Sequence, residues 1–162
     1  MRLCMSFLCA VVLSLAGVSA GEAQAGRVGE LLVRQGNGGM PCFTVSEAEE
    51  KRSGAPNFQS IAVSDSAGPG RGALWSMTMP KQRTFPVTFR MCVPYAGRLP
   101  VLPQMPAAPL EAGRVYEVAI EARGPFAAAA PRSYRAHFCL TRAEAAVRTL
   151  LPDSRQRYAC GA

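Results

Sequence analysis

Glycine, proline and Asn-Gly break this chain at short intervals, leaving little room for helices of ordinary length. Seven stretches between the breaks read as strands: residues 27–34, 42–46, 60–64, 73–79, 85–93, 114–122 and 133–140. Between the first two lies Gln35-Gly36-Asn37-Gly38-Gly39, where Asn-Gly accepts the positive φ of a tight turn. Residues 46–51 are acidic and polar, residues 52–57 read as a loop, and residues 67–72 are a Gly/Pro loop. Pro80 and Pro94 stop the fourth and fifth runs, because proline has no N–H to give to a ladder. Residues 141–151 read as a helix, with Thr141 as its cap, Glu144 at its third position and Pro152 beyond its end. The pattern predicts an all-β fold: an immunoglobulin-like β-sandwich of about seven strands with a short C-terminal helix.

Alternation assigns the faces. Tyr116, Val118, Ile120 and Ala122 oppose Glu117 and Glu121. Phe85, Val87, Phe89, Met91 and Val93 oppose Thr88 and Arg90, and Phe43 and Val45 oppose Thr44. Tyr134, Ala136, Phe138 and Leu140 oppose Arg135 and His137.

The N-terminus sets the compartment. Arg2 precedes an almost wholly apolar run over residues 3–18, and small residues follow. These are the charged start, apolar centre and exit of a cleavable export signal. Val18-Ser19-Ala20 before Gly21 and Ala23-Gln24-Ala25 before Gly26 both fit as exits. The second is the closer A-x-A match, giving a leader of residues 1–25 and one domain over 26–162. The apolar run sits near the lower limit of about 17 residues for a span, and no basic stop-transfer cluster follows. The expectation is an exported protein without stable membrane insertion. Cys4 and Cys9 lie before or inside the apolar run, so neither is placed to carry a lipid anchor.

Removing the leader takes away one arginine and one glutamate, so the formal charge of +7 is unchanged. The cations are nearly all arginine and are scattered along the chain, unlike a nucleic-acid-binding tail. A basic exported domain is compatible with an acidic partner, with an anionic envelope polymer or with neither, and nucleic acid is not expected.

Cys42, Cys92, Cys139 and Cys160 remain after cleavage, an even number for an oxidising compartment. No C-x-x-C spacing suggests zinc. Cys42, Cys92 and Cys139 each fall on the polar side of their strands. The expected bridges therefore lie outside the main core or pin the tail. Of the three pairings, Cys42–Cys92 with Cys139–Cys160 is the one expected here.

Pro100, Pro103, Pro106 and Pro109 recur every third residue, the period of a polyproline II rod. Such a rod serves as a ligand for an aromatic groove or as a stiff connector; the connector is expected here.

Catalytic signals are thin. His137 is the only histidine, Asp65 and Asp153 are the only aspartates after residue 25, and no G-x-S-x-G surrounds a serine. Glu47, Glu49 and Glu50 read as solvated surface. Gly68, Gly70 and Gly72 lack the Lys-Ser/Thr of a phosphate loop. The reading is a non-enzyme without a cofactor. Trp75, Met77 and Met79 alternate on one strand, and the segment is similar to periplasmic copper chaperones, which hold Cu(I) through two methionines, a histidine and a capping tryptophan. Thioethers select Cu(I). Core packing is the plainer role for these three side chains.

Several segments together resemble a known family. They are Pro41-Cys42-Phe43-Thr44-Val45, Ile61-Ala62-Val63-Ser64, Leu74-Trp75-Ser76-Met77, Cys92-Val93-Pro94-Tyr95-Ala96-Gly97, Gly113-Arg114-Val115-Tyr116 and Phe138-Cys139-Leu140. In these the chain resembles the periplasmic type VI secretion immunity lipoproteins of Gram-negative bacteria, over about residues 27–140. The lipobox cysteine of that family is missing. The resemblance implies a soluble periplasmic protein that neutralises a secreted toxin by protein–protein contact.

Overall fold

The computed structural model describes residues 27–66, 72–83, 85–98, 102–123, 130–141, 146–150 and 160. The leader expected over 1–25, Gly68 and Gly70 of the Gly/Pro loop, and Glu144 and Pro152 of the expected helix lie outside them. The chain is mostly β. Its strands are β1 (Val28–Gln35), β2 (Pro41–Val45), β3 (Phe58–Asp65), β4 (Trp75–Thr78), β5 (Val93–Pro94), β6 (Gln104–Met105), β7 (Val115–Ala122), β8 (Ser133–Leu140) and β9 (Val147–Leu150). One short helix, α1 (Glu47–Ser53), follows β2.

The strands run in the order β5-β2-β1-β8-β7-β3-β4-β6, with β9 also paired to β8. The first strand makes this a curled, sandwich-like arrangement. Val28–Glu30 pair in parallel with Ser133–Arg135 of β8. From Leu31 to Gln35 the same strand pairs antiparallel with β2. It thus peels away from β8 and carries a small sheet, β1-β2-β5, over the large one. Phe43 of β2 meets Phe138 of β8 at 5.5 Å and Trp75 of β4 at 6.3 Å between ring centres. Aromatic pairs at such separations add stability beyond the area they bury. Leu31, Val45, Ile61, Val63, Met77, Val118, Ile120 and Tyr134 complete one core. The Tyr116 hydroxyl bonds both the N–H and the carbonyl of Glu111, five residues upstream, at 2.7 and 3.2 Å. That corner is a feature of immunoglobulin-like sandwiches.

Four expectations need correction. Residues 147–150 form strand β9, not part of a C-terminal helix. Thr141 is bonded to Ala146 just before that strand: its N–H donates to Ala146 O at 2.8 Å and its hydroxyl accepts from Ala146 N at 3.2 Å. The edge of β8 vacated by β1 supplies the ladder that wins.

Residues 47–51 belong to α1; Glu47 is exposed as expected and Glu50 half-buried, but Glu49 is not solvated surface. Ser46 caps the helix by accepting from Glu49 N, and Gly54 ends it at φ 76°. Glu49 is 1% exposed.

Residues 85–92 are not a strand. Only Pro86 forms an isolated bridge, with Asn57. The backbone polar groups of this segment find other partners. Thr44 donates its hydroxyl to Thr88 O at 2.8 Å, and Phe89 N donates to a Glu50 carboxylate oxygen at 2.7 Å. The segment lies across the outer face of β2, so all five residues of β2 are buried.

The proline-rich connector is interrupted by β6, which pairs with β4 through Ser76↔Met105 and Met77↔Gln104. Prolines on either side of so short an edge strand discourage further pairing.

Candidate binding pocket

Two disulfides set the outer surface. Cys139 points away from Phe138 and joins Cys160, and with Val115 they make a second, smaller core behind the sheet. Cys42 joins Cys92, which ties the 85–92 segment to the back of β2.

Beside the second bridge lies an open apolar pocket of about 210 Å³. Its floor comes from the core side of the large sheet: Phe58 at the start of β3, Met77 on β4 and Met79 just past it. Its far wall is Phe85, Cys92 and Val93. Pro94, Gly97 and Arg98 form the rim. Backbone bonds fix these walls. Phe58 N donates to Phe85 O and Val87 N to Pro56 O, both at 2.9 Å. Tyr95 N donates to Pro41 O at 2.8 Å.

The rim itself is a tight turn in which Gly97 N donates to Pro94 O at 3.0 Å. Ala96 sits at φ 59°, a conformation that non-glycine residues seldom adopt and that marks turns and functional sites. A Cβ on Gly97 would lie 2.9 Å from both the Pro94 ring and its carbonyl, so the turn closes only with glycine there. The Tyr95 hydroxyl donates to Ala108 O at 2.6 Å, which holds the turn against the connector. Burial pushes this phenol up to about 12, with Tyr116 adding to the effect, so it remains a donor. Arg98 is exposed and has no ionic partner among the described residues.

A larger groove, about 450 Å³, lies between α1 and residues 88–90. Its carboxylates are already engaged: Glu50 by Phe89 N, and Glu47 by Lys51 at 2.8 Å.

The remaining sequence candidates fall elsewhere. Trp75, Met77 and Met79 are core residues, each less than a tenth exposed. Both methionines also reach the pocket, but His137 does not join them. It lies on the other face of β8, with Nε2 3.3 Å from the Glu117 carboxylate, which also holds Arg135 at 3.1 Å. Among the described residues no serine hydroxyl bonds His137. Asp65 is paired with Arg114 at 3.3 Å. Glu49 accepts both Arg27 guanidinium nitrogens at 2.7 Å and the Ser53 hydroxyl at 2.8 Å. These bonds, Arg27's foremost, hold its carboxyl down to about 2 against the opposing effect of burial. No group of three or more His, Cys, Asp or Glu among the described residues is placed to hold a metal ion.

Phe58, Phe85 and Arg98 were not singled out by sequence. Nothing in their local pattern marks them, because the pocket forms only when three distant segments meet. The expected methionines share it for reasons of core packing.

No helix among the described residues is long and apolar enough to cross a membrane. No family model, curated protein or solved structure matches the chain.

Proposed function

We propose that this protein is an exported, non-catalytic binding protein of the periplasm that works by protein–protein contact, its partner being a secreted toxin that it neutralises. The observation that carries the reading is the preformed pocket beside the Cys42–Cys92 bridge. A concave apolar site on a covalently braced wall suits an anchoring side chain, since little ordering cost remains to be met on binding. Central pockets that take one large apolar residue are where protein interfaces concentrate their energy. The resemblance to immunity lipoproteins supports the same role.

Affinity capture tests this. The oxidised domain, residues 26–162, is immobilised and exposed to envelope extracts and to the secreted proteins of competing strains. A toxin retained in one-to-one ratio supports the proposal; a column that retains no protein above a denatured control overturns it.

A second reading is Cu(I) binding by Met77 and Met79 with Trp75 beside them, favoured by the two thioethers lining one pocket. Anaerobic titration that finds neither bound copper nor quenching of Trp75 fluorescence ends it.

A further inference from the structure

Among the described residues, Arg98 is the single charged one on an otherwise apolar pocket, and it is exposed at the rim. No acidic side chain among the described residues neutralises it. Other arginines differ. Arg123 spends its guanidinium on the carbonyls of Met79, Pro80, Lys81 and Arg83, and Arg34 stacks on Phe89 at 4.2 Å. We infer that the pocket receives an acidic protein segment, which inserts one aromatic side chain among Phe58, Met77, Met79 and Phe85 and sets a neighbouring carboxylate against Arg98.

Four observations choose this occupant. The volume of about 210 Å³ exceeds the roughly 150 Å³ of a cavity that holds benzene, so a phenyl group fits. The lining of two phenyl rings and two thioethers suits an aromatic guest, since sulfur and ring edges both attract π faces. The guanidinium offers a planar fork that matches a carboxylate. The whole chain's charge of +7 favours the same sign of partner. The inference rests on the binding reading above and supplies the chemistry of the partner's anchor.

The test uses three blocked tripeptides, Glu-Phe-Glu, Gln-Phe-Gln and Glu-Ala-Glu, titrated to millimolar concentration into the oxidised protein. The methyl resonances of Met77 and Met79 report occupancy. Glu-Phe-Glu shifts both saturably, and Glu-Ala-Glu shifts neither. Gln-Phe-Gln binds about two- to fivefold more weakly, the discrimination expected of one exposed charge pair. In Arg98→Gln, which alters only an exposed side chain, Glu-Phe-Glu and Gln-Phe-Gln bind alike. Absence of a saturable shift with Glu-Phe-Glu, or equal binding of the Glu and Gln peptides to the unaltered protein, overturns the inference. A toxin captured on the column while the peptides fail overturns this anchor alone. Peptide binding with an empty column overturns the proposed function and leaves the pocket's chemistry standing.

Discussion

Glu49 shows how one residue couples a local signal to the fold. Ser46-x-x-Glu49 is a helix-start pattern, and its capping half forms, with Glu49 N donating to the Ser46 hydroxyl at 3.1 Å. The carboxylate turns to Arg27 and Ser53 instead of back to the Ser46 N–H. Because the folded carboxyl is held at about 2, below its ordinary 4.5, the unfolded chain takes up the proton first as pH falls. The contribution is complete above 4.5, fades through the interval down to about 2, and amounts to at most about 3 kcal/mol. Urea unfolding across that interval should show stability rising with pH, and Arg27→Ala should flatten the rise. A slope unchanged by Arg27→Ala would remove this account. Gly29 makes a different demand. A Cβ there would sit 2.2 Å from the Tyr134 ring, so Gly29→Ala should cost about 1–3 kcal/mol, read as a lowered unfolding midpoint.

At the scale of elements, the strands that alternate cleanly were the legible ones. The run 133–140 is β8 residue for residue, and the expected faces of β7 are those that pack. What failed had a tertiary cause. Residues 141–151 carry helix punctuation, yet an open ladder edge on β8 outweighed it, and Val147 suits a strand. Residues 85–92 alternate well, but Pro86 cannot donate, and β2 needed a cover for its outer face. The seven residues of α1 are too few to stand alone, so its existence depends on Arg27 from outside the helix. Cys92 lies on no strand, whereas the positions of Cys42 and Cys139, on the faces opposite Phe43 and Phe138, were readable from alternation. That those faces are themselves buried, as at Cys139, was not, because the covering segments are distant in sequence. The bridges brace loops of separation 50 and 21, for which chain entropy alone gives about 4 and about 3 kcal/mol. Replacing both members of either pair with alanine should lower stability by that order in thermal unfolding. Only loss of Cys42–Cys92 should also weaken peptide binding at the pocket. Equal loss of binding in both variants would detach the pocket from its bridge.

At the scale of the molecule, an arginine-rich surface with one uncompensated cation at an apolar mouth makes association sensitive to ions. Capture of an acidic partner should be faster at low salt than near physiological ionic strength, with dissociation changed much less. Stopped-flow or surface-binding rates separate the two, and a salt effect confined to dissociation would contradict electrostatic steering. The pocket itself was legible only in fragments, as two methionines and a cysteine noticed for other reasons.

The divided pairing of β1 has a bearing on timing. Its first three residues pair with Ser133–Arg135, about a hundred positions away, whereas the rest of the strand pairs with its sequence neighbour β2. Contacts so distant in sequence form late. The parallel joint that fastens the small sheet to the large one is therefore the slow part of assembly, closing after the antiparallel ladders on either side of it have formed.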